Sequence, residues 1–400
     1  MNTTPGLLAL QVRPGNPDFL DLPWTRPLAQ WREACNRVVD VPRGISRHEV
    51  VFVQYQRLLY AVKELPVRVG EREYDALRWL EERDLPAVVA AGHAKVKNEE
   101  GDEGSVLITR FLESSLPYRQ LFQSPGLERY RERLLDAVAE LMVRLHLAGF
   151  HWGDYSLSNC LFRRDAGQLR AYLVDAETSE MHETLSDGQR RLDLDIMEEN
   201  VAGELADLSM VVQLPPALDV FEPARRIRQR YQRLWEEVTR EEILSPAENW
   251  RIHERIRALN ALGFSVGEVE LETVGDGSKL KMRTLVTDRD YHRHMLQNLT
   301  GVVAEERQAG LMLNEIHELR ATMVRSSQRS VPLSVAAYHW LTERYEPTLQ
   351  QLQPQVSRAT EPPELYCQLL EHKWLLSEKM NRDVGFVYAI EDYVKKFKAA

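Results

Sequence analysis

The chain has 400 residues, of which 44% are hydrophobic and 28% charged, with a formal net charge of −10. That length and balance suit a globular protein of two or three domains, and the acidity argues against broad nucleic-acid binding through a basic surface. Cys35, Cys160 and Cys367 lie far apart and lack CxxC spacing, which argues against a disulfide framework and a zinc site.

The N-terminus carries neither a basic n-region nor a long apolar h-region, so no signal peptide is expected. No apolar run reaches the roughly 20 residues of a membrane span, and a reducing cytoplasm is the expected setting. Residues 1–40 start Pro-rich, with Pro5, Pro14, Pro17, Pro23 and Pro27, and read as an extended arm leading into a short helix around Leu28–Val39. Val50–Val53 and Leu58–Lys63 read as two strands around a short polar turn. A helix follows over Gly70–Arg83, with Tyr74, Leu77 and Leu80 on one face, and then a strand at Val106–Thr109.

The strongest helix signal covers 125–148. Ser124 suits the cap and Pro125 the first turn. Leu127, Leu134, Val138, Leu141 and Leu145 recur at helical spacing, and Gly149 ends the run. Two strands, Cys160–Arg163 and Leu169–Val174, then flank a turn at Asp165-Ala166-Gly167. An amphipathic helix at 222–243 carries Arg225, Arg226, Arg228, Arg230 and Arg233, which read as a solvated face, with phosphate binding as the minority reading. At 266–283 a hairpin is expected around Gly275-Asp276-Gly277, with Glu268, Glu270 and Glu272 facing Lys279, Lys281 and Arg283. The remainder reads as mostly helical.

The chemistry concentrates in His151-Trp152-Gly153-Asp154-Tyr155-Ser156-Leu157-Ser158-Asn159, followed after two strands by Asp175-Ala176-Glu177. Phosphoryl transfer from ATP needs few parts. One carboxylate orients the attacking hydroxyl, an amide oxygen and a second carboxylate hold Mg²⁺, and a lysine neutralises phosphate charge. Asp154 and Asn159 stand five apart, as in the D-L-x-x-x-N catalytic loop. Tyr60-Ala61-Val62-Lys63 is similar to the strand-borne V-A-I-K lysine, with Glu73 as its partner and Glu71 in competition. Taken singly, each has an ordinary alternative: a cap, a turn residue, a surface lysine, a solvated strand end. Their joint order and spacing favour the chemical reading.

Together these residues resemble the protein-kinase-like superfamily over roughly residues 42–215. The likeness is nearest to the bacterial lipopolysaccharide-kinase and aminoglycoside-phosphotransferase side, joined to a C-terminal domain of unknown function. It implies an α+β fold: a bilobal core with a small antiparallel-sheet N-lobe and a mainly helical C-lobe, then a mostly helical C-terminal domain with a β-hairpin. The expected divisions are an N-terminal extension at 1–40, the kinase-like domain at 41–240 and the C-terminal domain at 241–400. By this resemblance Asp154, Lys63 and Glu73 are catalytic, and Asn159 and Asp175 hold Mg²⁺. Gly44, in Gly44-Ile45-Ser46-Arg47-His48-Glu49, stands in the phosphate-covering loop, and Arg110, Phe111, Leu112 and Glu113 meet the adenine of ATP.

This chain also departs from the pattern. The histidine stands three residues before Asp154, no arginine precedes that aspartate, Asp175 is followed by Ala176-Glu177, and no A-P-E signature occurs. Asp193 or Asp195 would brace the catalytic loop. The leading expectation is a Mg·ATP-dependent phosphotransferase acting on a small-molecule, sugar or lipid-linked hydroxyl. The competing readings are a nucleotide-binding pseudokinase-type regulator, and a scaffold whose residues 241–400 bind a protein partner.

Overall fold

A computed structural model describes residues 6–41, 47–98, 101–123, 129–211, 220–240, 242–244, 268–274, 279–285, 291–327, 329–352, 361–380 and 382–397. They divide into two compact units, one of residues 1–163 and 171–234, the other of 164–170 and 235–400.

The first unit opens with β1 (Gly6–Val12), a one-turn 3₁₀ segment, α1 (Trp31–Ala34) and β2 (Val38–Val39). The expected extended arm carries an edge strand, since β1 pairs antiparallel with β5 (Ala90–Lys97). The expected helix over Leu28–Val39 shrinks to its first turns before β2 pairs with β3 (Val50–Tyr55). Burial explains both features. Phe19, Leu22, Trp24, Leu28 and Trp31 cover one face of the sheet, against Val53, Tyr60 and Val62. Local composition does not reveal that partner.

β3 and β4 (Leu58–Leu65) form the expected hairpin, with Val50 opposite Lys63. α2 (Val67–Glu81) follows, then β5 and β6 (Glu103–Arg110). The six strands are antiparallel in the order β1-β5-β6-β4-β3-β2. The alanine- and glycine-rich β5 has no strand signal of its own and owes its form to pairing on both sides.

β7 (Leu116–Pro117) and α3 (Tyr118–Gln123) lead to α4 (Arg129–Leu147). Leu134, Val138, Leu141 and Leu145 of α4 are buried as expected, while the expected start at Ser124 and Pro125 lies outside the described residues. The segment bearing Asp154 and Asp175 runs through β8 (Phe150–His151), β9 (Cys160–Asp165), β10 (Gln168–Leu173) and β11 (Glu180–Met181) into α5 (Asp187–Val211). β9 and β10 turn through Ala166 and Gly167, both at positive φ. Leu173 of β10 is pinned between Pro86 O and Val88 N, each at 2.9 Å, so the loop that follows it is held against the sheet side of the unit.

α6 (Phe221–Thr239) is the expected arginine-bearing helix. Arg226 and Arg230 pair with Glu132 of α4, and Arg228 pairs with Asp195 and Glu198 of α5. Those three arginines form exposed ion pairs with the neighbouring helices.

In the second unit β12 (Glu242–Leu244), β13 (Glu268–Val274) and β14 (Lys279–Leu285) form a sheet in the order β12-β14-β13. The β13–β14 register sets Glu270 opposite Arg283 and Glu272 opposite Lys281. The expected turn at Gly275–Gly277 lies outside the described residues. Among the described residues six α-helices follow: α7 (Tyr291–Thr300), α8 (Glu306–Ser327), α9 (Leu333–Trp340), α10 (Glu346–Leu352), α11 (Pro362–Met380) and α12 (Gly385–Phe397). Their core centres on Met312, Ile316, Trp340, Tyr366 and Leu369. The short segment 164–170 joins this unit, and Asp165 caps the start of α8 by accepting the N–H groups of Gln308 (2.9 Å) and Arg307 (3.2 Å). No helix among the described residues is long and apolar enough to cross a membrane.

Candidate active site

Strand alternation places the lysine. Tyr60 and Val62 of β4 are fully buried in the core on one face, so Lys63 points to the other. α2 lies close over that face because Gly70 has no side chain, and a Cβ there would come within 2.1 Å of Ser105 Oγ. The helix thereby delivers Glu73. Lys63 Nζ lies 3.1 and 3.3 Å from the two Glu73 carboxylate oxygens and 2.6 Å from Asp175 Oδ2. Glu177 stands 3.8 Å from the same ammonium. Glu71, the competing candidate, instead reaches Lys95 at the surface, 2.6 Å away.

The charges explain the titration. Burial pulls the Lys63 ammonium down, but the Glu73 and Asp175 carboxylates outweigh it and hold its pKa above the usual lysine value. Burial, with the neighbouring Asp175 charge, pushes the Glu73 carboxyl up to about 8.

The loop carrying Asp154 is shaped from several sides. Gly149 ends α4 at φ +86, with His182 O only 2.1 Å from where a Cβ would sit. β8 then pairs with β11, so the chain before Asp154 and the chain after Asp175 form one two-stranded piece. Trp152 stands two residues before Asp154, where the kinase pattern has histidine. Its Nε1 donates to the carbonyl of Asp175 at 2.7 Å, and Thr178 Oγ1 donates to the carbonyl of Trp152 at 2.9 Å.

α5 supplies the underside. Asp193, almost fully buried, accepts the backbone N–H groups of Trp152 and Gly153, each at 2.9 Å, and contacts His146 Nε2 at 3.1 Å. Burial raises the Asp193 carboxyl, but His146 and the backbone donors overcome it and hold its pKa below the usual range. Asp195 faces outward to Arg228, so Asp193 is the bracing residue. Asn200 Nδ2 donates to Asp154 Oδ1 (3.1 Å) and to Tyr155 O (2.9 Å). Glu204 accepts the N–H of Leu157 at 2.7 Å and of Ser158 at 3.0 Å. Asp193, Asn200 and Glu204 fall at i, i+7 and i+11, one face of the helix. That polar spacing, beside the apolar Leu194, Met197, Val201 and Leu205, is the signal by which sequence reading could have found Asn200 and Glu204.

Asn159 Nδ2 donates to the carbonyl of Asp154 at 2.9 Å, which orients its amide oxygen as the group left to accept or ligate. Asp175 Oδ1 accepts the N–H of Glu177 at 3.1 Å. Amide and carboxylate oxygens suit a hard divalent cation. Glu73, Asp175 and Glu177 also cluster closely enough to share a cation, but the Lys63 ammonium already sits among them.

The remaining expected residues are less central. Arg110 donates to Asn16 Oδ1 at 3.2 Å, and Phe111 N donates to Leu59 O at 2.9 Å. The Phe111 ring meets Phe52 edge-on at 5.7 Å, Leu112 is half-buried and Glu113 exposed. Gly44 lies outside the described residues. Arg47 and His48, on the same segment, reach the site: Arg47 Nη2 lies 3.1 Å from Asp154 Oδ2, and His48 Nε2 lies 3.0 Å from Glu177 Oε2.

An antiparallel sheet with a helix-paired lysine, followed by a mainly helical part carrying an aspartate–asparagine loop and a second aspartate, defines a kinase-like core. Residues 49–211 match the lipopolysaccharide kinase (Kdo/WaaP) family, and residues 233–397 match a domain of unknown function, DUF4032. Among solved structures, a chain described as "WaaP in complex with acyl carrier protein" is similar at 17% identity and a TM-score of 0.38, covering 64% of this chain and 99% of that one. No curated protein matches the chain.

Proposed function

We propose that the chain is a Mg·ATP-dependent phosphotransferase acting on a hydroxyl of a small-molecule, sugar or lipid-linked acceptor. One observation carries the reading: Lys63 of β4 is held between Glu73 of α2 and Asp175 after β10, three separate elements converging on one ammonium. A surface lysine has no need of such support.

Bound Mg·ATP supplies the phosphoryl group and a divalent charge beside it. The chain's own residues position and neutralise. Lys63 contacts phosphate oxygens, Glu73 fixes the lysine, and Asn159 and Asp175 hold the cation. Asp154, steered by Asn200 and by the loop that Asp193 and Glu204 support, orients the acceptor hydroxyl and takes its proton.

Two features favour a non-protein acceptor. Only residues 176–186 separate Asp175 from α5, a short stretch on which to present a peptide. The family matched by residues 49–211 is also a lipopolysaccharide kinase family.

The test has two arms. Mg·ATP at about 100 times its Kd is expected to add roughly 2.7 kcal/mol of stability. No thermal shift with millimolar ATP, GTP or ADP refutes nucleotide binding. Labelled ATP with a fractionated cell lysate is expected to label the small-molecule or lipid pool in an Asp154-dependent way. Label confined to a protein band overturns the acceptor class.

A further inference from the structure

The two oxygens of the Asp154 carboxylate are held from opposite sides. Oδ1 accepts from Asn200, part of the α5 face beneath the loop. Oδ2 is ion-paired with Arg47, which lies three residues before β3. The Asn200 contact is internal support. The Arg47 contact is of a different kind: the arginine side chain is 76% exposed, and such pairs contribute little net stability. It can therefore exchange partners at small cost.

Its position defines what the other partner would be. Val50, three residues after Arg47, is the register partner of Lys63. Arg47 thus leaves the sheet at the end where the phosphate-neutralising lysine stands. His48, its neighbour, is anchored to Glu177, two residues beyond Asp175. The guanidinium spans from this anchored segment to Asp154. On the phosphotransferase reading, Lys63 and Asp175 mark the nucleotide phosphates and Asp154 marks the acceptor. The phosphoryl group in transit must lie between them, in the gap that Arg47 bridges. A planar guanidinium with a fork of N–H donors matches phosphate oxygens better than it matches one carboxylate oxygen. An acceptor hydroxyl, moreover, competes with Arg47 for Asp154 Oδ2.

We infer that Arg47 is a γ-phosphate-binding residue, which exchanges its contact with Asp154 for one with the terminal phosphate of ATP. The inference rests on the phosphotransferase reading and adds a positioning residue to it. In the transfer, the acceptor oxygen bonds to the γ-phosphorus as the bond to the β,γ-bridging oxygen breaks. The hydroxyl proton passes to Asp154, and ADP leaves with the bridging oxygen. Arg47 forms no covalent bond. It couples arrival of the γ-phosphate to release of the carboxylate that takes the proton, so with ADP Asp154 keeps its Arg47 partner.

The experiment compares nucleotides that differ by the γ-phosphate. Affinities of the full chain for a non-hydrolysable ATP analogue and for ADP, each with Mg²⁺, are measured by calorimetry for wild type, Arg47→Ala and Arg47→Lys. Melting without ligand checks that the exposed substitutions leave the fold intact. Arg47→Ala is expected to weaken the triphosphate by about tenfold or more and to leave ADP within about twofold, with Arg47→Lys between. If Arg47→Ala weakens both nucleotides equally, or neither, while wild type binds both, the Arg47 assignment fails and the phosphotransferase reading stands. If wild type binds neither nucleotide, the phosphotransferase reading fails and takes this inference with it.

Discussion

Glu73 lies 3.1 Å from the Lys63 ammonium with only 1% of its side chain exposed, whereas Glu71, two residues earlier along α2, pairs with Lys95 at the surface. The two glutamates therefore make opposite predictions. Glu73→Gln is expected to lower kcat/KM for ATP by about tenfold or more, roughly 1.4 kcal/mol of transition-state stabilisation. Glu71→Gln should change it less than about twofold, as expected for an exposed ion pair. Steady-state kinetics on both variants checks this, and equal effects would reverse the assignment.

On the proposed phosphotransferase reading, Asp154 serves the acceptor and Asp175 the cation. Asp154→Ala should leave Mg·ATP affinity within a few-fold and abolish turnover. Asp175→Ala should weaken Mg·ATP binding itself, because it removes both a cation ligand and the 2.6 Å partner of Lys63. Calorimetry beside a turnover assay separates the two. Loss of nucleotide affinity in Asp154→Ala as large as in Asp175→Ala would mean the roles are misassigned.

Asp193→Ala strips a partner from three groups at once: the buried His146 Nε2 and Trp152 N–H and the part-buried Gly153 N–H. The expected cost is about 3–5 kcal/mol, the range for breaking a buried charged network. Asp195→Ala removes only the exposed pair with Arg228 and should cost under about 1 kcal/mol. Denaturant unfolding of the full chain measures both.

In the second unit, burial and the nearby Glu305 push the Asp165 carboxyl up to about 7. An unfolded chain ionises the same group near 3.8. Below that value both states are protonated, and this group's contribution is fully favourable. As pH rises to about 7 the unfolded state gives up its proton before the folded state does, and stability falls. Asp165→Asn removes that fall, so melting of variant and wild type from about pH 4 to about pH 8 should shift steadily in the variant's favour and level off above about 7. A constant difference between them across that range would refute the raised pKa.

Lys63, Asp154, Asn159 and Asp175 were legible in the sequence because each stands at a short, regular distance from a periodic strand or helix. The β3–β4 hairpin, α2, α4 and the turn at Ala166-Gly167 follow from the same local signals, strand alternation, helical spacing and turn chemistry. The β13–β14 pairing was legible for the same reason. What the sequence by itself determined is thus the order of the chemical groups and the elements that carry them. The tertiary structure decided which of two near-equivalent residues turns inward. Glu73 and Glu71, or Asp193 and Asp195, are two residues apart and differ by about 200° around a helix whose inner face is set by distant partners. It decided that Arg226, Arg228 and Arg230 face carboxylates of α4 and α5 rather than solvent. It made strands of Gly6–Val12 and Ala90–Lys97, whose composition signals none, because a strand is stabilised by pairing across the sheet. It also brought Arg47 to Asp154, 107 residues apart in the chain. Local periodicity carries no information about contacts at such a separation, and only the closed fold brings the two side chains together.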